Sequence, residues 1–364
     1  VSVYAPALAS MANGTSTGTI KLNYTTEDAQ SYSVSVPVTL NLNSPLISIA
    51  VTPANVQNAV GQGPALQYTA TGSYKAGYSQ NMTSQVTWTS SSPAFAAVSN
   101  VSGAAGSVQP LLPGTTTIKA EAVAAGVSGS TPLKVVAPAA VAYVVQGGGN
   151  ISQFIVNADG SLTPMMKKSV PGGPRPAQLV FTPDGKYAYG LNEDFVSTGQ
   201  YGLSQFSVDE CGSLTPLSPA VVKLSSYFPQ EVAVDAAGKR VYVATQADGS
   251  GAVARLDIGA GGTLTLDSKP PVVVGSGVIA YGVGLSPTAP YLYVPDLEST
   301  KVYQFGIAAD GSVSALTPLS VTAGSHPRQV IVHPSGLYAY VVNFTNNVSS
   351  AQPPGFVSHY NIGA

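Results

Sequence analysis

The sequence predicts an all-β chain, and three observations carry that prediction. Val, Thr, Tyr and Ile alternate with polar residues along most of its length. Turn clusters rich in Gly, Pro, Asn and Asp recur at short intervals, and no stretch keeps helical periodicity. In the C-terminal part, several markers repeat about every 50 residues, the period of a four-stranded β-propeller blade.

Composition excludes several function classes. Of 364 residues only 9% are charged, against roughly 25% in an average soluble domain. With 15 Lys+Arg against 17 Asp+Glu there is no basic face to neutralise phosphates, so a nucleic-acid binder is excluded. No run of about 18 apolar residues exists to make a spanning helix. The single Cys211 rules out a disulfide framework and a Cys-built zinc site, and 3 His cannot make a His-rich metal centre. No cofactor is expected. The low charge and the Ser/Thr/Gly/Asn-rich surface predict an extracellular or cell-surface setting.

Residues 1–44 carry two strands. Ile20, Leu22 and Tyr24 alternate in the first, Val34, Val36, Val38, Leu40 and Leu42 in the second, and the loop Thr26–Gln30 joins them. Period two predicts one buried and one solvated face, and a two-stranded ribbon calls for partner strands. The segment resembles the last strands of a bacterial immunoglobulin-like domain.

Residues 45–138 supply strands at LISIAVTP, LQYTATGSY, QVTWTSSSP, GTTTIKAEA and STPLKVV. The residues Ile49-Ala-Val-Thr-Pro53, Val86-Thr-Trp88-Thr-Ser90 and Gly114-Thr-Thr-Thr-Ile118 resemble the group 2 bacterial immunoglobulin-like domain. Trp88, the one Trp of the chain, is expected to pack between two sheets, with sugar stacking as the competing reading.

Residues 139–364 hold the repeat. Gly160, Gly212, Gly262 and Gly311 lead Gly-Ser/Thr-Leu/Val triplets, and Tyr143, Tyr189, Tyr242, Tyr293 and Tyr340 keep the same period. QLVFTPDG, KYAYGLN, GLSQFSVD and GSLTPLSP are the first to fourth strands of one unit. The glycines are expected in hairpin turns with positive φ. Asp159, Asp248 and Asp310 beside them read as turn residues rather than calcium ligands. Thr182-Pro-Asp-Gly-Lys-Tyr-Ala-Tyr189 and His326-Pro-Arg-Gln-Val-Ile-Val-His-Pro-Ser-Gly-Leu-Tyr-Ala-Tyr-Val-Val-Asn343 resemble the lactonase-type seven-bladed propeller family, which includes 6-phosphogluconolactonase and muconate cyclases. That resemblance implies seven blades, of which about five are present. It implies a chain that continues by two blades and a closing strand, unless neighbouring subunits supply strands by β-addition at residues 1–43 or near 355–364.

The resemblance also points to a site. The family places an Arg, a His and a Glu in the central channel. Arg328 matches the Arg, Gln329 stands where the His would be, and Phe344 follows Asn343 where the Glu would be. An Asn-Glu pair survives as Asn192-Glu193. Aligning the first strands makes Gln178, Glu231, Gly282 and Gln329 equivalent, preceded by Ala177, Gln230, Tyr281 and Arg328. Candidate catalytic residues are therefore Arg328, Glu193 and Glu231, and candidate ligand-binding residues are Tyr281, His326, Arg328 and Gln329, with no metal. A structural Arg328–Glu231 pair across the channel is the competing reading. His333 is expected in a turn, and Cys211 in a hairpin with no base beside it.

Two functions follow. The first is a secreted or cell-surface structural or binding protein, of the kind that builds an appendage or fibre, with protein subunits or surface glycans as partners and homopolymer formation through exposed strands. The alternative is a hydrolase opening a sugar lactone in the propeller channel. Carbohydrate adhesion by the immunoglobulin-like region is a third. Asn-x-Ser/Thr sequons begin at Asn13, Asn23, Asn81, Asn100, Asn150, Asn343 and Asn347, and in an exporting cell some would carry glycans.

Overall fold

A computed structural model describes residues 14–42, 44–193, 201–224, 228–247, 249–344 and 355–363. Asn13, Asp248 and Asn347 lie outside the described residues. Among the described residues the chain is all-β apart from one short 3-10 turn at Val123–Ala125, and it divides into two units, Val1–Pro138 and Ala139–Ala364.

In the first unit, the strands Gly14–Thr25 and Ser31–Leu42 form the expected ribbon. Its register pairs Ile20 with Val36, Leu22 with Val34 and Tyr24 with Tyr32. The expectation of one buried face fails. Leu22, Tyr24, Tyr32 and Val34 are about half exposed, because no further strand pairs with this ribbon among the described residues.

The remaining strands of this unit build an immunoglobulin-like sandwich. One sheet orders Val56–Val60, Val127–Val136, Gly114–Ala122 and Thr87–Ser90, with the first pair parallel. Short sheets built on Leu46–Thr52 and on Ser107–Pro110 face its core. Alternation along Gly114–Ala122 sends Thr116, Ile118, Ala120 and Ala122 inward. Trp88 is buried at their centre, where its indole N–H donates to the Thr83 carbonyl at 2.9 Å. Its burial excludes sugar stacking. Asn100 is bonded to both backbone groups of Trp88, accepting at 2.7 Å and donating at 2.9 Å.

The second unit is a series of five antiparallel sheets, the blades of a propeller. Blade 1 begins at Val141–Gln146; blade 2 runs from Pro176–Phe181 to Leu214–Lys223; blade 3 begins at Phe228–Val234; blade 4 at Gly284–Leu285; blade 5 at Pro327–Val332. Apolar clusters fill the spaces between blades, such as Tyr189, Leu191, Val232 and Val243 between blades 2 and 3. Gly160, Gly212, Gly262 and Gly311 have φ near +80°, the left-handed turn that a side chain disfavours.

The repeated tyrosines explain their period. Tyr189 donates its hydroxyl to the Gly262 carbonyl of the next blade at 2.9 Å, Tyr242 donates to Gly311 at 3.4 Å, and Tyr143 donates to Gly212. Each tyrosine thus fixes the hairpin of the following blade, and its buried phenol is pushed up in pKa by desolvation.

Candidate functional site

Three blades open with the same triplet: Pro176-Ala177-Gln178, Pro229-Gln230-Glu231 and Pro327-Arg328-Gln329. Proline cannot donate to the ladder, so it favours a strand start or a bulge. At all three places the register slips by one residue after the proline. A bulge re-aims side chains, and here it turns the residues after each proline toward one cavity. That cavity, about 250 Å³, is lined by Gln178, Glu193, Glu231, Tyr281, Arg328 and Gln329, with Ala177 and Gln230 beside them.

The third residue of the triplet joins blades. Gln178 Oε1 accepts the Val232 N–H of the next blade at 2.9 Å, and Glu231 Oε2 accepts the Val283 N–H at 3.0 Å. Blade 4 has Gly282 at this position for want of space: a Cβ there would lie 2.7 Å from Glu231 Oε2 and 2.6 Å from the Arg328 carbonyl oxygen. Gln329 turns back and donates from Nε2 to Glu231 Oε1 at 2.8 Å. Both Glu231 oxygens are therefore engaged. Burial pushes this carboxyl above its ordinary value, while the bonds from Gln329 and Val283 and the nearby Arg328 pull the other way.

Arg328 sits at the bulge of blade 5, exposed to the cavity. Its Nη2 donates to the Tyr281 hydroxyl at 2.9 Å, and its guanidinium lies 4.6 Å from the Tyr281 ring centre and 5.7 Å from that of Phe344. Such cation–π packing orients the group without consuming its charge. The expected Arg328–Glu231 ion pair is absent: Gln329 takes that place on Glu231, and among the described residues the ion pairs lie elsewhere, the most buried being Arg255–Asp267 at 2.7 Å.

Glu193 directly follows the second strand of blade 2, Tyr187–Asn192, anchored by its N–H to the Arg175 carbonyl at 3.1 Å. Its half-buried carboxyl is raised by desolvation, against the opposing pull of Arg175 and Arg328. The cavity thus offers a carboxylate with raised basicity together with a guanidinium and a phenol as donors.

Of the sequence-derived candidates, the structure brings Glu193, Glu231, Tyr281, Arg328 and Gln329 together and leaves His326 outside. His326 shapes the bend before blade 5 at φ +51°, where its N–H donates to Ser299 and its carbonyl accepts from Phe344. His333 Nδ1 accepts the Ser335 N–H at 3.1 Å, a turn cap. Cys211 lies in its hairpin but is buried, and burial pushes the thiol up to about 11. Asp159 and Asp310 accept the Ser161 and Ser312 N–H groups at 2.9 Å, and no metal-ligand cluster occurs among the described residues. Sequence reasoning missed the blade-joining bond of Glu231 and the stacking of Phe344 on Arg328. The recurring Pro-x-Gln/Glu triplet marked the position of Glu231 but not the amide it would bond.

The family described as lactonase, 7-bladed beta-propeller, matches residues 139–352, and the group 2 bacterial Ig-like domain matches residues 46–135. A 6-phosphogluconolactonase of Enterobacter sp. (strain 638) is 30% identical over 195 residues, 53% of this chain and 54% of the relative. The chain thus spans about half the length of the curated relative it matches. Among solved structures, the periplasmic gluconolactonase of Pseudomonas aeruginosa is 21% identical, covering 59% of this chain and 64% of that one with a TM-score of 0.44. The hydrazine synthase of Kuenenia stuttgartiensis is 14% identical, covering 85% and 96% with a TM-score of 0.46.

Proposed function

The chain belongs to the family of lactonase-type seven-bladed β-propellers, and from that premise we propose that its channel cavity binds a sugar lactone and hydrolyses it. The observation that carries the reading is one placement: Arg328, outside any ion pair among the described residues, faces the same cavity as Glu193, whose basicity burial has raised. Ester hydrolysis needs a base for water and a donor for the oxyanion. Glu193 takes a proton from water as its oxygen bonds to the lactone carbonyl carbon. Arg328 and the Tyr281 hydroxyl stabilise the negative charge that moves onto the carbonyl oxygen. The ring C–O bond then breaks, and the leaving alkoxide recovers the proton from Glu193. Glu231 acts by position, holding Gln329 and blade 4 around the cavity.

The reading of the propeller as a structural or adhesive module has less support: the family and the enzyme relative favour the hydrolase. The low charge of the chain still supports a location outside the cytosol, and surface glycans or protein subunits belong to the same composition-based reading. Calorimetry with gluconate, the ring-opened acid, tests the site. Saturable binding weakened about tenfold or more by Arg328→Ala, the loss of one charge-assisted contact, is expected. Binding that is absent, or indifferent to Arg328, would overturn the assignment.

A further inference from the structure

The residue before Glu193 repeats through the propeller. Three residues after each repeated tyrosine of blades 2 to 5 stands Asn192, Thr245, Asp296 or Asn343. All four are polar and all four are buried. Buried polar groups whose bonds are made rigidify what they join. In blades 3 and 4 the partner is the linker entering the same blade: Thr245 Oγ1 donates to the Phe228 carbonyl at 3.0 Å, and Asp296 Oδ1 accepts the Ile279 N–H at 3.0 Å. In blade 2 the Asn192 amide donates to Ser204 Oγ at 2.9 Å, and Ser204 donates in turn to the Gly172 carbonyl at 2.6 Å. This relay joins the second strand, the third strand Gly202–Val208 and the linker from blade 1.

Blade 5 repeats the Asn–Ser pair, Asn343 donating to Ser358 Oγ at 2.9 Å, whereas blades 3 and 4 carry Ala254 and Tyr303 at the serine position. Blades 2 and 5 are the two that supply Glu193 and Arg328, and they share two further features. A linker glycine lies on the asparagine: a Cβ at Gly173 would stand 2.5 Å from Asn192 Nδ2 and 2.6 Å from Ser204 Oγ, and one at Gly324 2.6 Å from Asn343 Cγ. The residue before the proline, Arg175 or His326, has φ +43° or +51°. A side chain disfavours that conformation and a following proline narrows it further, so it persists where its surroundings hold it. Its carbonyl accepts the N–H of the residue after the asparagine, Glu193 at 3.1 Å or Phe344 at 2.9 Å. Glu193 is thus tied to one linker twice, by its own N–H and through Asn192 and Ser204.

We propose that Asn192 and Ser204 are positioning residues for Glu193: they lock the second strand of blade 2 to its linker and so fix where the carboxylate stands relative to Arg328. This role rests on the hydrolase reading of the cavity. Neither side chain lines the cavity, so both act through Glu193 rather than on the reacting atoms. Without the relay the strand end parts from the linker, water reaches the carboxyl, and its separation from Arg328 is no longer set.

The test is carboxyl-carbon NMR of the whole chain labelled in glutamate, with Glu193→Gln to assign the resonance. Asn192→Ala and Ser204→Ala should bring the Glu193 titration down toward the ordinary 4.5, because desolvation is what raises it, while Glu231 keeps its own. The kcat for gluconolactone should fall about tenfold or more with KM unmoved, since a displacement on the order of 1 Å costs up to about 100-fold. Asn192→Thr should restore both, as blade 3 uses threonine at this position. Thr245→Val removes the corresponding bond of blade 3 and should leave the Glu193 titration where it is, which separates positioning from a general loosening. Ser204→Ala removes only a hydroxyl and decides the matter if Asn192→Ala does not fold, which circular dichroism reports. A Glu193 titration unmoved by Ser204→Ala, or moved as far by Thr245→Val, overturns the proposal. Absence of turnover by the unaltered chain overturns the hydrolase reading instead, and the titration still decides whether these residues hold Glu193.

Discussion

Two glutamates face the channel cavity, and their surroundings give them different roles. Glu231 accepts hydrogen bonds on both oxygens, from Gln329 and from the Val283 N–H, so no lone pair is well placed for water. Glu231→Gln should fold normally, because an amide oxygen still accepts from Val283 and Gln329 can rotate its own amide to match. Glu231→Ala should lose about 1–3 kcal/mol in denaturant unfolding, because it leaves the buried Val283 N–H unsatisfied. The raised value of Glu231 has a defined sign: the native carboxyl holds its proton more tightly than the unfolded one. Its contribution to stability therefore falls as pH rises from the ordinary 4.5 through the raised value, and Glu231→Gln should remove that slope. Glu193 must be ionised to act, and burial raises it too, so kcat/KM should fall on acidification at a pH above 4.5. A profile flat through that range would exclude Glu193 as the base. Among the sequons, Asn100 and Asn343 are consumed structurally. The Asn343 amide is buried and donates to Val341, Phe356 and Ser358, so glycan mapping should find neither residue modified.

At the scale of elements, the bulged first strands explain how so few charged residues form a site. The triplet Pro-x-Gln/Glu sets the slip, the middle residue reaches the cavity, and the third bonds another blade, the next one for Gln178 and Glu231 and blade 3 for Gln329. Strand positions, blade order and the glycine turns were legible in the sequence, because period-two alternation and turn chemistry are local. The equivalence of Gln178, Glu231, Gly282 and Gln329 was legible as well. The bond from Glu231 to Val283 was not, because a strand carries no mark of which amide its neighbour leaves unpaired. The exposed ribbon was misjudged for a related reason: alternation predicts an apolar face but not what covers it. With its two strands alone it should be marginal. Amides of Gly14–Leu42 should exchange with solvent faster than those of Gly114–Ala122, as hydrogen-exchange mass spectrometry would show. Within the sandwich, Gly129 lets Val127–Val136 cross Leu46–Thr52 closely: a Cβ there would lie 1.9 Å from the Ile49 carbonyl oxygen. Since backbone cannot yield as a side-chain tip does, Gly129→Ala should destabilise this unit by about 1–3 kcal/mol. A variant melting with the parent would show that the strands separate freely.

At the scale of the molecule, an immunoglobulin-like unit precedes lactonase-type blades, and the cavity of the proposed function is lined from the first strands of those blades. Gln329 and Phe344 occupy positions where the family resemblance implies His and Glu, and the structure gives both a task beside the reacting groups: Gln329 holds Glu231, and Phe344 packs on Arg328. The account therefore rests on Glu193 as the base and on Arg328, with the Tyr281 hydroxyl beside it, as the oxyanion donor. The most direct measurement is the rate of gluconolactone opening by the whole chain, corrected for spontaneous hydrolysis, beside Glu193→Gln and Arg328→Ala. The account predicts turnover above background that falls about 100-fold or more in each variant, the usual cost of losing a general base or an oxyanion donor. No turnover by the unaltered chain, or turnover that survives both substitutions, would contradict it.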